Sequence, residues 1–129
     1  MEMQNIALSL AGSIAAATAI FHGILTQRLM VRPIDRRIAE DRGVSPTIRQ
    51  IVPLLLQFST YGWLVSGIAL IAAANFAGAE TRLWISLLAG SMFLYAAIAN
   101  FWATRGRHPG WILMAAAVAL IAADLLQTL

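Results

Sequence analysis

The sequence predicts an all-α fold: a polytopic membrane protein built as a four-helix transmembrane bundle, with a short amphipathic cytoplasmic helix after the first span. Three observations predict it. Of 129 residues, 60% are hydrophobic and only 12% charged, too little charge to cover a soluble domain of this length. Four apolar stretches, 6–26, 51–76, 83–103 and 111–129, are each long enough to cross ~30 Å of hydrocarbon at about 1.5 Å per residue. Eight of the nine arginines fall in two of the connections between those stretches. Four spans use most of the chain, so residues 1–129 form a single transmembrane domain in this reading.

The first span, Ile6 to Thr26, has a run at Ala15, Ala16 and Ala17 that could suit a signal peptidase, but its leading residues carry Glu2 and no basic side chain. That is the wrong flank for a secretory signal, and the segment is expected to be a retained helix. In the connection that follows, Pro33 suits a first helical position, and Ile34 and Ile38 share one face. Arg37 is placed to pair with Asp41, and Gly43 to close the C-terminus. Such a helix would lie on the inner membrane surface. Ser45 before Pro46 predicts the cap of the next helix, and Pro53 predicts a kink or a start nearer Leu54. Trp84, Trp102 and Trp111 sit near span ends, where indoles favour the headgroup zone, whereas Tyr61 and Trp63 fall near mid-membrane.

Orientation follows from the arginines. Arg28, Arg32, Arg36, Arg37, Arg42 and Arg49 occupy the first connection and Arg105 and Arg107 the third, leaving Arg82 alone on the other side. The positive-inside rule then puts both termini on the periplasmic side of a bacterial inner membrane. The net charge of +3 is accounted for by this bias, so no nucleic-acid partner is expected. With no cysteines, disulfides and thiolate chemistry are excluded.

Small residues recur at helical spacing: Ala11, Ala15, Ala19 and Gly23 on the first span, Gly62 and Ser66 on the second, Ala115, Ala119 and Ala123 on the fourth. On the third, Met92 interrupts the face of Ala89, Ala96 and Ala103. Stripes of this kind let helix backbones approach closely, and they are expected to hold partner helices in a homo-oligomer or a larger membrane complex.

Chemistry is sparse. His22 lies six residues before Arg28 and Asn100 five before Arg105, so both sit roughly 8 to 9 Å inside the cytoplasmic interface, with Gln57 entering at a similar level. His22, Gln57 and Asn100 form the candidate intramembrane polar cluster, with His22 hydrogen-bonded to Asn100 or a carbonyl as helix glue, or lining a conduction path. Near the other boundary, Arg82 is expected to pair with Asp124, among Asn5, Asn75 and Gln127. Arg28, Arg32, Arg105 and Arg107 are candidates for a lipid phosphate, because guanidinium forks match its oxygens. The histidines, His22 in a span and His108 in a loop, read as too far apart to ligate a metal or haem together, and no carboxylate accompanies them. No cofactor and no enzyme activity are expected.

At His22, Arg28, Arg32-Pro33 and Arg105-Gly106-Arg107-His108-Pro109-Gly110-Trp111, the chain resembles a set of small uncharacterised bacterial four-helix inner-membrane proteins. The resemblance implies the four-span fold over most of the chain and supplies no known activity. Thr26-Gln27 stands where that pattern has Gly-Glu, which removes an acid that would pair with Arg28. Small multidrug transporters need an acid in the first span, yet none occurs between Glu2 and Asp35. Fluoride channels assemble as antiparallel dimers, which this arginine bias forbids. The expected function is that of a non-enzymatic accessory or scaffold subunit that packs with other helices and binds anionic lipid; the alternative is an oligomeric channel or transporter with a His22/Gln57/Asn100 path.

Overall fold

The structure, a computed structural model, describes residues 2–41 and 43–128; Arg42 and the last residue of the fourth predicted span, Leu129, lie outside them. Within those residues the chain is helical, with four helices long and apolar enough to cross a membrane: α1 (Glu2–Thr26), α3 (Pro46–Phe76), α4 (Ala79–Thr104) and α5 (Gly110–Thr128). A shorter helix, α2 (Arg32–Glu40), precedes α3. All-helical architecture with four potential spans is thus as the sequence predicts.

Around the bundle each helix touches two neighbours: α1 packs on α3 and α5, and α4 on the same two. The buried positions explain why these sequences meet. Trp63, Gly67, Leu70 and Ala74 of α3, Ser86, Ala89, Phe93 and Ala96 of α4, and Met114, Ala117, Ile121 and Asp124 of α5 alternate in steps of three and four. That spacing keeps one seam facing the bundle axis, as in left-handed helix packing. Outward faces carry Leu54, Leu55, Phe58, Ile68, Leu88 and Tyr95, all exposed. Apolar side chains outside as well as inside are what a hydrocarbon solvent requires.

The tightest seam is between α1 and α3. A Cβ on Gly12 would stand 2.5 Å from the Gly67 carbonyl oxygen, and one on Gly67 would stand 2.7 Å from the Gly12 oxygen and 2.8 Å from the Ala16 nitrogen. Backbone meets backbone there, so neither position has room for a side chain. Ala11, Ala15 and Ala19 are fully buried within the chain. The α1 stripe, expected to hold partner subunits, is therefore consumed by the bundle itself. On α5 the expected Ala115, Ala119 and Ala123 stripe is not the buried one: Ala119 is exposed, and Met114, Ala117 and Ile121 face the core. Gly62 and Ser66 do make a contact, against Met92 of α4, whose sulfur lies 3.6 Å from the Ser66 hydroxyl.

Between α1 and α2 the chain does not break. A π-helical turn, Gln27–Val31, carries the helix onward, its register shown by the Arg32 N–H donating to the Gln27 carbonyl. The predicted surface helix is thus an extension of α1 with Ile34 and Ile38 half-buried and its other residues exposed. It ends at Glu40 rather than at Gly43. Asp41 turns extended, and its carboxylate accepts the Gly43 N–H at 2.8 Å, while Arg49 donates to its carbonyl. This local turn replaces the expected Arg37–Asp41 pair. Ser45 caps α3 by accepting the Ile48 N–H at 3.3 Å, and the helix runs through Pro53 from its start at Pro46. At the end of α4, Arg105 (φ 51°) and Gly106 (φ 72°) are both left-handed, and the Gly106 N–H returns to the Phe101 carbonyl.

Candidate functional site

The polar residues at the His22 end come from α1, α3, α4 and the turn before α5. His22 projects toward α3 at the height of Ser59 and Trp63. Its Nε2 lies 3.2 Å from the Ser59 hydroxyl, and its ring sits on Trp63 with centroids 4.5 Å apart. Trp63 is buried, so an indole at mid-helix serves the interior here, while Tyr61 two residues earlier faces outward.

His22 and Asn100 do not bond each other. Asn100 donates to the Ala96 carbonyl of its own helix at 3.0 Å, the local bond that a polar side chain finds first in an apolar helix. Gln57 turns to the α1 backbone instead, donating to the Gly23 carbonyl at 3.2 Å and to the Gln27 side chain at 3.1 Å, and accepting from Thr60. The three members of the predicted cluster are thus divided. Gln57 ties α3 to α1, whereas His22 and Asn100 line a shared cavity.

That cavity has a volume of about 230 Å³ and is walled by Thr18, Phe21, His22 and Leu25 of α1, Trp63, Asn100, and His108 to Gly110 with Leu113. A second cavity of about 180 Å³ shares His22, Leu25, Asn100 and His108 with it and extends to Leu29, Met30 and Thr104. His108 was placed apart from His22 by sequence; the α4–α5 turn brings both to one space. The turn does this by its two left-handed residues and by bonds of its own: Gly110 N–H donates to His108 Nδ1 at 3.1 Å, and Trp111 Nε1 donates to the Gly106 carbonyl. The signal available in sequence was the Arg-Gly-Arg-His-Pro-Gly run, whose length of turn was legible and whose fold-back was not. Among the described residues no group of three or more metal-ligating side chains occurs.

The predicted lipid-phosphate residues lie at this same end. Arg28 is in the π turn, Arg32 begins α2, and Arg105 and Arg107 are in the α4–α5 turn; all four are exposed. The 180 Å³ cavity is bordered by Leu29 and Met30 on one side and by Thr104 and His108 on the other, so the two arginine-bearing connections flank it.

At the opposite end, Arg82 of α4 forms a two-pronged ion pair with Asp124 of α5, Nε donating to Oδ2 at 3.2 Å and Nη2 to Oδ1, and its Nη1 donates to Asn5 of α1 at 2.6 Å. Three helices are tied by one guanidinium. Asn75 instead serves the α1–α3 seam, donating to the Ile71 carbonyl at 2.7 Å and to Ser9 at 3.5 Å. One turn from Arg82, the buried Ser86 hydroxyl has no hydrogen-bond partner among the described residues.

A direct consequence concerns His22. As helix glue its partner is Ser59, so His22→Ala and Ser59→Ala are each expected to lower stability in a mild-detergent melt by about 0.6 to 2 kcal/mol. Their double variant should cost less than the sum. Asn100→Ala should show no such coupling to His22. No family model, curated protein or solved structure matches this chain.

Proposed function

We propose that this chain is a non-enzymatic subunit of a bacterial inner membrane that docks anionic lipid at its arginine-bearing end. The supporting observation is the convergence of two separate connections: Arg28 and Arg32 after α1, and Arg105 and Arg107 after α4, flank one cavity bordered by Leu29 and Met30 on one side and by Thr104 and His108 on the other. Guanidinium forks meet phosphate oxygens in pairs, and the apolar rim of Leu29 and Met30 accepts the start of an acyl chain. In this reading the arginine end is cytoplasmic and both termini are periplasmic. Partners, whether further copies or other subunits, meet its outward faces, because the α1 stripe is internal.

Transport is the weaker reading. Fully buried Leu8, Leu70, Phe93 and Met114 fill the bundle centre, and Gln57 leaves the path that His22 and Asn100 would line. The test of lipid docking is retention of phosphatidylglycerol over phosphatidylcholine by the purified protein, measured by native mass spectrometry. Each of Arg28→Gln, Arg32→Gln, Arg105→Gln and Arg107→Gln is expected to reduce that preference by about fivefold, from roughly 1 kcal/mol per basic residue near an anionic surface. Equal retention of both lipids by the unaltered protein would overturn the reading, as would a reporter between α2 and α3 that reads periplasmic.

A further inference from the structure

The cavity beneath the arginines has a chemistry of its own. None of the residues that wall the 230 Å³ space carries a carboxylate or a guanidinium, so it suits a neutral occupant. His22, Asn100 and His108 line it together. Because His108 Nδ1 accepts the Gly110 N–H, the neutral ring carries its proton on Nε2 and donates from that side. His22 commits Nε2 to Ser59, and its Nδ1 has no partner among the described residues. Asn100 commits one Nδ2–H to Ala96, leaving its other N–H as a donor and its amide oxygen as an acceptor. Between these groups the walls are flat and apolar: Trp63, Phe21 and Pro109.

Size narrows the occupant further. A cavity of roughly 150 Å³ holds a benzene ring, so about 230 Å³ holds one substituted six-membered ring. An acyl chain would fit by volume but would leave the second nitrogen of each imidazole and the amide oxygen without partners. Phe21 and Leu113, which wall the space, are exposed on the outward surface of α1 and α5, so entry is from the bilayer.

We propose that this cavity binds the ring of a neutral isoprenoid quinone or quinol, with its tail leaving between α1 and α5 into the lipid. Ring oxygens lie on opposite edges: one accepts from His108 Nε2–H, and the other accepts the second Nδ2–H of Asn100 as a quinone carbonyl or donates to the Asn100 oxygen as a quinol hydroxyl. Trp63 and Phe21 face the ring. The site shares His22, Leu25, Asn100 and His108 with the cavity of the anionic-lipid reading, but none of the four arginines lines it.

The experiment titrates decylubiquinone into the full chain in phosphatidylcholine nanodiscs and follows tryptophan fluorescence. A Trp84→Phe/Trp102→Phe background removes the two outward indoles, which are 58% and 81% exposed. Saturable quenching is expected, with decylbenzene, the same tail without ring oxygens, failing to compete. Asn100→Ala and His108→Ala should each weaken binding by about 3- to 10-fold, the usual worth of one neutral hydrogen bond, and Thr18→Leu should abolish it by filling the space. Arg105→Gln with Arg107→Gln should leave quinone binding unchanged while lowering phosphatidylglycerol retention, which separates the two sites. A melting curve for each variant identifies any that fails to fold. Quenching that rises linearly and equally in folded wild type and variants would overturn the proposal, and so would equal competition by decylbenzene.

Discussion

Arg82→Ala is expected to destabilise the bundle by about 3 to 5 kcal/mol in a detergent unfolding measurement. The size follows from the charge removed: Asp124 is 0% exposed, and losing the guanidinium takes away the ion pair that offsets the desolvation of its carboxylate. The Asn5 side chain loses its donor in the same step, so α1, α4 and α5 are untied together. Arg82→Lys should recover little, because an ammonium cannot reach both carboxylate oxygens and Asn5 in the fork geometry. The paired replacement Arg82→Leu with Asp124→Leu should recover most of the stability, since two apolar side chains avoid the desolvation of both charges. If the double variant were as unstable as Arg82→Ala, the buried-charge explanation would fail.

Gly67→Ala should also destabilise, against the usual direction of that change. In an ordinary helix interior, alanine is better than glycine by roughly 1 kcal/mol. Here the new Cβ would meet backbone atoms of Gly12 and Ala16 at 2.7 and 2.8 Å, and rigid helices cannot yield as a side-chain tip can. Separating α1 from α3 is the remaining response, at about 1 to 3 kcal/mol, and more for Gly67→Leu. Gly90 is the internal control. A Cβ there meets only the Ile121 side chain, at 3.5 Å, so Gly90→Ala should be neutral or stabilising. Equal melting temperatures for Gly67→Ala and Gly90→Ala would show that the α1–α3 seam is looser than its geometry.

Ala15→Leu and Ala19→Leu belong with these variants. By sequence they test association between subunits; with both alanines 0% exposed inside the chain, they instead test folding. A stripe of small residues states that some backbone approaches closely, and it is silent about whether that backbone belongs to the same chain.

What the sequence by itself determined is the part governed by one-dimensional physics. Span number follows from apolar length against bilayer thickness, because a backbone in hydrocarbon must satisfy its bonds within each helix. Ser45 as a cap was legible because its hydroxyl serves an N–H three residues on, a contact that needs no tertiary partner. Arg82 beside Asp124 was legible as a pairing because few charges occur at that depth and each needs an opposite.

The tertiary structure decided everything that depends on rotation of one helix about another. Depth placed His22, Gln57 and Asn100 at one level, but a rotation of a few residues separates faces, and so Gln57 met the Gly23 carbonyl while His22 met Ser59. Likewise the path of five residues between α4 and α5 is set by left-handed Arg105 and Gly106, which return His108 to the cavity that a linear map assigned to a loop. The continuity of α1 into α2 through a π turn was hidden for a related reason. Local residues such as Pro33 suit a helix start and a helix continuation that has already lost one bond equally well, and the chain adopts the second, with the π turn and α2 both beside α3.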